Sequence, residues 1–193
     1  LRVLHVRGAA LVELPPGPWD LPELEDLDLA RNSISELPPG FWRGMPALRR
    51  LDLGFNRLRS LHDGSAVAAD GARSRSVSPE RVVSRHSLRS ASRRSGRSAT
   101  PAPDVVPWYL QRLVLSGNPV ARLPRWIRSF RTLRELELTD CPNLERLDDT
   151  LVQCTALLSL RADRSGVRFV TPRLAELVRL QTLSLTGCPL FEH

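Results

Sequence analysis

Lysine is absent: all 28 Lys/Arg-class side chains are arginines. The segment therefore has no side-chain ammonium group for Schiff-base chemistry and no side-chain acceptor for ubiquitin. The bias is read as genome composition rather than function. Cysteine is scarce, with three residues and no Cys-x-x-Cys pair, which argues against a disulfide scaffold and for a reducing, cytoplasmic setting. The four histidines, His5, His62, His86 and His193, are scattered, and no two stand at helical ligand spacing. Gly-x-Gly phosphate loops and Walker motifs are missing. No apolar run is long enough to span a membrane, and no signal peptide is visible. The expectation is a chain with no enzymatic activity, no cofactor, no metal site and no membrane segment.

What the chain has in quantity is leucine at fixed spacing. Residues 48–61 read L-x-x-L-x-L-x-x-N-x-L-x-x-L, and the pattern returns with first leucines at 1, 24, 48, 110, 133, 157 and 180. Successive gaps are 23, 24, 62, 23, 24 and 23 residues, so one gap holds an insertion of 39 beyond a normal period. A single unit of this size cannot bury its own apolar side, whereas stacked units can. Leucines at alternate positions, such as Leu27 and Leu29 or Leu136 and Leu138, predict short strands with one face inward, lying side by side as a parallel sheet.

Three residues beyond each strand comes a second column. Asn32, Asn56 and Asn118 occupy it, Cys141 and Cys188 take it in the fifth and seventh copies, and Ala9 and Ser165 fill the rest. A buried amide there can satisfy backbone groups of neighbouring turns, and a thiol fits the same slot. Cys141 and Cys188 are two repeats apart, roughly 10 Å at the spacing between strands, which exceeds disulfide reach. The return half opens with Leu-Pro at Leu14-Pro15, Leu37-Pro38 and Leu123-Pro124 and continues with anchors three or four apart: Phe41 and Met45, Ile127 and Phe130, Leu151 and Cys154, Leu174 and Leu177. That spacing predicts short helices or turns on a convex side. Trp19, Trp42 and Trp126 lie in these returns, as core plugs or as a second, convex binding surface.

The pattern L-x-x-L-x-L-x-x-N-x-L-x-x-L-P resembles the leucine-rich repeats of about 23 residues found in Ras-associated and Scribble-type cytoplasmic scaffolds and in secreted bacterial effectors. Residues 136–147, with Cys141-Pro142 in the turn, resemble the L-x-L-x-x-C-P-x-L variant of plant immune receptors. The resemblance implies an α/β leucine-rich-repeat solenoid, a curved horseshoe with a parallel sheet inside and short helices or turns outside. It also implies protein binding on the concave side, with any catalysis carried by a separate domain. The expected organisation is repeats 1–3 in residues 1–63, an insertion over 64–107, and repeats 4–7 in 108–193. The chain starts inside a repeat motif and stops just after the Cys188-Pro189-Leu190 turn with no evident cap. It is therefore expected to be a piece of a longer protein, or to have poorly protected ends.

The insertion carries the charge. Residues 73–98 hold eight arginines, nine serines and one acid, a net +7 that equals the whole chain's. The remaining 20 arginines and 20 acids balance, so the solenoid itself is neutral. Such a composition predicts disorder. Three readings stay open. The insertion is a tolerated surface loop. It is a kinase substrate, with Ser76, Ser78, Ser84 and Ser92 each three residues after an arginine and Ser78 followed by Pro79. Or it is a nucleic-acid contact, which the lack of interleaved aromatics disfavours.

Strand register places three columns on the concave face. The first is Val3, Asp26, Arg50, Arg112, Glu135, Ser159 and Thr182. The middle is His5, Asp28, Asp52, Val114, Glu137, Arg161 and Ser184. The last is Arg7, Ala30, Gly54, Ser116, Thr139, Asp163 and Thr186. Asp28 beside Asp52 places like charges together, a repulsion with no folding return that hints at a cationic partner. The candidate protein-binding residues are Asp26, Asp28, Arg50, Asp52, Arg112, Glu135, Glu137 and Arg161. The basic insertion could itself fold onto this face as an autoinhibitory segment released by phosphorylation. The expected function is a non-enzymatic scaffold or adaptor for a partner with a basic contact surface. The alternative is the recognition arm of a larger effector or ubiquitin-ligase-type protein.

Overall fold

The computed structural model describes residues 1–16, 19–38, 41–42, 44–61 and 109–190. The Arg/Ser segment with Ser76, Ser78, Ser84 and Ser92 lies outside the described residues, as do His62, His86, Trp108 and His193.

Seven three-residue strands form one parallel sheet. They are β1 (Val3–His5), β2 (Asp26–Asp28), β3 (Arg50–Asp52), β4 (Arg112–Val114), β5 (Glu135–Glu137), β7 (Ser159–Arg161) and β9 (Thr182–Ser184). The central leucines of neighbouring strands pair in register: Leu4, Leu27, Leu51, Leu113, Leu136, Leu160 and Leu183. From Leu27 to Leu160 these central leucines are buried. The outermost layers are thinner: Leu1 is 69%, Val3 48% and Leu183 45% exposed. A two-residue pair, β6 (Arg146–Leu147) with β8 (Phe169–Val170), adds a second small sheet, with the Arg146 guanidinium 4.6 Å from the centre of the Phe169 ring. Leucine spacing alone does not announce it.

The return segments of repeats 4, 5 and 6 are 3-10 helices rather than α-helices: Arg125–Ser129, Asp149–Gln153 and Pro172–Glu176. With three residues per turn, anchors three apart fall on one inward face. Ile127, Phe130, Leu151, Cys154, Leu174 and Leu177 are all buried there. Asp148 and Thr171 cap two of these helices by accepting the Thr150 and Arg173 N–H groups.

The column beyond the strands is a hydrogen-bonded ladder. The Asn56 amide donates to the carbonyls of Leu53 (3.0 Å) and Leu29 (3.0 Å), and its oxygen accepts the Ile34 N–H at 3.0 Å. Asn118 repeats this with Leu115, Leu53 and Leu58. Cys141 continues it, its thiol facing the Leu115 carbonyl at 3.5 Å. Ser165 then donates to Leu138 O, and Cys188 to Ala162 O at 2.9 Å. Each rung follows a residue held in the left-handed region, as at Arg31, Phe55, Gly117, Asp140 and Arg164. Only glycine adopts that conformation freely, so the turn is imposed by the ladder bonds and the stacking. At Gly117 a side chain would also collide with the Phe55 ring, 2.6 Å from where its Cβ would stand.

Burial pushes the Cys141 thiol up to about 11 and the Cys154 thiol up to about 12. Cys188 is half-buried. At pH 8 a thiol reagent should label Cys188 in the native protein and reach Cys141 and Cys154 only upon unfolding, read as one fast and two slow equivalents. Both pKa values are raised on folding. The stabilisation from keeping these thiols neutral is therefore full below the ordinary thiol value of 9.0 and is lost as pH rises towards 11 and 12. The midpoint in denaturant should fall over that range, and less so in Cys154→Ala.

Candidate functional site

The sheet register brings all eight sequence-nominated residues onto the concave face. Val3, Asp26, Arg50, Arg112, Glu135, Ser159 and Thr182 form one row, and His5, Asp28, Asp52, Val114, Glu137, Arg161 and Ser184 the next. The pairing of β3 with β4 keeps this register across the insertion.

The aspartates divide by role. Asp28 Oδ1 accepts the Ala30 N–H and Asp52 Oδ1 the Gly54 N–H, both at 2.8 Å. Each carboxylate thus folds over its own strand end and ties the turn that follows. The repulsion between the two remains, but those bonds give each carboxylate a folding role that the sequence reading did not assign. The expectation that the third column faces outward throughout is corrected. Ala30, Gly54 and Ser116 are buried, and a Cβ on Gly54 would sit 3.0 Å from Asp52 Oδ1. Burial raises the pKa of Asp52; the Gly54 N–H opposes this, Asp28 adds to it, and Arg7 and Arg112 oppose it. Arg7 lies 3.4 Å from Asp28 and 3.9 Å from Asp52 and relieves their repulsion. Sequence reading placed Arg7 in a column but gave it no function.

Asp26, Glu135 and Glu137 take no backbone N–H among the described bonds. Arg50 Nε donates to Asp26 at 2.8 Å. Arg112 reaches Glu135 at 3.0 Å and Glu137 at 2.9 Å, one guanidinium holding two carboxylates. Arg161, opposite Glu137 in the register, makes no ion pair with a described residue. At the far end Asp163 accepts from Ser184 and from the Thr186 N–H, and these bonds hold its carboxyl below the usual range. The face is a polar strip of arginines bridging a larger number of acids. Among the described residues no three His, Cys, Asp or Glu side chains gather closely enough to hold a metal ion. No described helix is long and apolar enough to cross a membrane.

Of the described tryptophans, Trp42 and Trp126 sit in the core and Trp19 packs half-buried against it. Phe41–Trp42, Trp42–Trp126 and Trp126–Phe130 make edge-to-face contacts with centroids 5.0, 5.0 and 5.3 Å apart, and Trp19 adds a contact to Phe41 at 5.4 Å. Trp42 and Trp126 are buried, which corrects the alternative of a convex aromatic binding surface. An aromatic does reach the surface at Phe55, 49% exposed under the Arg31 guanidinium.

The family model for the leucine rich repeat matches residues 1–63. That match and the in-register leucine ladder agree. The fold is that of a leucine-rich-repeat solenoid. Solved structures resemble this solenoid along nearly its whole length. The Arabidopsis receptor kinase HAESA, in complex with the peptide hormone IDA and the co-receptor SERK1, is 24% identical with a TM-score of 0.63, covering 98% of this chain and 26% of that one. The functional domain of InlJ from Listeria monocytogenes, which includes a cysteine ladder, is 16% identical with a TM-score of 0.57, covering 99% and 34%. TLR13 in its complex with ssRNA13 is 21% identical with a TM-score of 0.60, covering 99% and 26%. The solenoid thus spans a quarter to a third of the length of these proteins. No curated protein matches the chain. Leucine-rich-repeat solenoids of this kind are typically non-catalytic binding modules.

Proposed function

We propose that this solenoid is a non-enzymatic protein-interaction module, a scaffold or adaptor, that takes a partner with a basic contact surface on its concave sheet. The observation behind this reading is the trio Asp26, Glu135 and Glu137. Among the described residues these carboxylates take no backbone N–H, and their arginine partners are the half-exposed Arg50 and Arg112, with His5 also 3.8 Å from Asp26. Exposed pairs of this type contribute ~0–1 kcal/mol each, so a partner's arginine or lysine can exchange into them at little cost. Among the matched structures one holds a peptide hormone and another an RNA. The acid excess on this face favours polypeptide, because nucleic-acid phosphates would meet Asp26, Asp28, Asp52, Glu135 and Glu137. Phosphorylation at Ser76, Ser78, Ser84 and Ser92 belongs to the same proposal. Each phosphate adds about −1.5 to −2 charges, so four would cancel the segment's +7. The longer chains of the matched structures support the second reading, a recognition arm within a larger protein.

The test is a lysate capture read by quantitative mass spectrometry, comparing the chain with Asp26→Ala/Glu135→Ala/Glu137→Ala. Asp28 and Asp52 are left intact because they tie turns, and circular dichroism checks the fold of both proteins. Loss of a defined set of proteins from the variant supports the concave site. Matching protein sets overturn it.

A further inference from the structure

Arginines recur at every third residue from the return of repeat 4 into the start of repeat 5: Arg122, Arg125, Arg128, Arg131 and Arg134. All five are exposed. Arg125 and Arg128 belong to the 3-10 helix, whose three-residue turn stacks them on one side, while Trp126, Ile127 and Phe130 turn inward. The concave arginines Arg7, Arg50 and Arg112, by contrast, are each ion-paired. None of the five in the row pairs with a described carboxylate. A row of like charges without counter-charges does nothing for folding.

The row leads into a groove. On the rim where the chain enters the strands, a cleft of about 400 Å³ is lined by Arg131, Arg134 and Arg179, with Gln111, Ala156 and Leu158. Its lining contains no carboxylate. Arg134 follows the first leucine of repeat 5 and Arg179 precedes that of repeat 7, two layers or roughly 10 Å apart along the stack, and Ala156 and Leu158, which flank the first leucine of repeat 6, contribute the uncharged floor. Two guanidiniums at that separation can close on one anion between them, with Arg131 as a third. Arg131 also lines a second groove, of about 580 Å³, running between the first two 3-10 helices past Arg128 and Gln153. The single acid there, Asp149, is bound to Thr171 and Arg173. Arg131 is common to the two grooves, so the row and both grooves make a basic track from the convex side to the rim.

We propose that this track is a second binding site, separate from the concave face, for a phosphorylated segment of a partner protein, with a phosphoserine or phosphothreonine held between Arg131, Arg134 and Arg179. Three forked guanidiniums around a small cleft suit a phosphate monoester, which carries close to two charges and three acceptor oxygens, better than a single carboxylate. The lining has no aromatic side chain to stack a base, which disfavours single-stranded nucleic acid. The three guanidiniums surround one small cleft rather than spread over a plane, which disfavours a lipid surface.

The experiment uses the full chain and follows arginine Nε–Hε resonances. The probes are inorganic phosphate, a glycine/alanine peptide with two phosphoserines three residues apart, a 12-nucleotide oligonucleotide, and phosphatidylserine vesicles. The expected result is saturable shifts centred on Arg131, Arg134 and Arg179, tighter for the phosphopeptide than for free phosphate. They should weaken as pH falls from 7 to 5 and the phosphate loses its second charge. Arg134→Ala/Arg179→Ala should lower phosphopeptide affinity roughly tenfold or more without changing the circular dichroism spectrum. Shifts spread evenly over all arginines, an unchanged affinity in the double variant, or tighter binding of the oligonucleotide or the vesicles would each overturn the proposal.

Discussion

Replacing Asn118 by alanine is expected to destabilise the solenoid by about 2–4 kcal/mol. The loss comprises the desolvation of an orphaned buried N–H plus the cavity left by a fully buried amide. The orphan is the Leu58 N–H, whose acceptor at 3.0 Å is the Asn118 side-chain oxygen. The carbonyls of Leu53 and Leu115 suffer less, because Asn56 and Cys141 also address them. Asn118→Cys should be the milder change, since a thiol already fills the next rung at Cys141. Asn118→Asp removes both donors and should cost at least as much as alanine. Denaturant titration followed by circular dichroism orders the three variants. Equal costs for alanine and cysteine would mean that volume, not hydrogen bonding, sets the value of the rung. The position is critical because Asn118 joins residues 60 apart in sequence, across the insertion.

Trp126→Ala should be comparable or larger, about 3–5 kcal/mol, the range for deleting a buried aromatic. Its ring touches Trp42 and Phe130, and its indole N–H donates to Leu61 O at 3.0 Å, the last described residue before the insertion. Trp42 comes from repeat 2 and Trp126 from repeat 4, so their contact links two repeats that are not consecutive. In a solenoid, stability is close to a sum of unit and nearest-neighbour contributions. Weakening this junction should therefore do more than lower the midpoint. Hydrogen exchange should separate into two units, residues 1–61 and 109–190, with unequal protection. Trp126→Phe keeps the edge-to-face contacts but loses the bond to Leu61, and about 1 kcal/mol is expected. A single cooperative transition retained in Trp126→Ala would place the coupling in the β3–β4 pairing and the asparagine ladder instead.

The solenoid, its strand register and its ladder were legible in the sequence because each follows from a period. Leucines two apart fix which face is inward, and a repeat of 23 or 24 residues fixes which residue stands beside which. Arg50 therefore lies against Arg112 despite the 62-residue gap, as counting predicts. Even the substitution of Cys141 and Ser165 into an asparagine column follows from position alone. Side-chain direction within a column does not follow from a period. Asp28 and Asp52 occupy positions equivalent to Glu137, yet they bend back onto backbone N–H groups. An aspartate is short enough to close that ring and the small residues 30 and 54 leave room for it. One signal was available, an Asp followed two residues later by Ala or Gly.

The sequence by itself determined the fold, the concave rows and the neutrality of the repeat framework, all of which depend on spacing and counting. Only the tertiary structure decided which charges are already neutralised. The 20 arginines outside the insertion balance 20 acids in number, but Coulomb interactions weaken with distance and are screened by water. Neutrality in sum is therefore not neutrality in place. On the concave face Arg7, Arg50 and Arg112 found carboxylates on adjacent strands, while Arg161 did not among the described residues. The arginines of repeat 4, three apart along a return that faces outward, found none among the described residues.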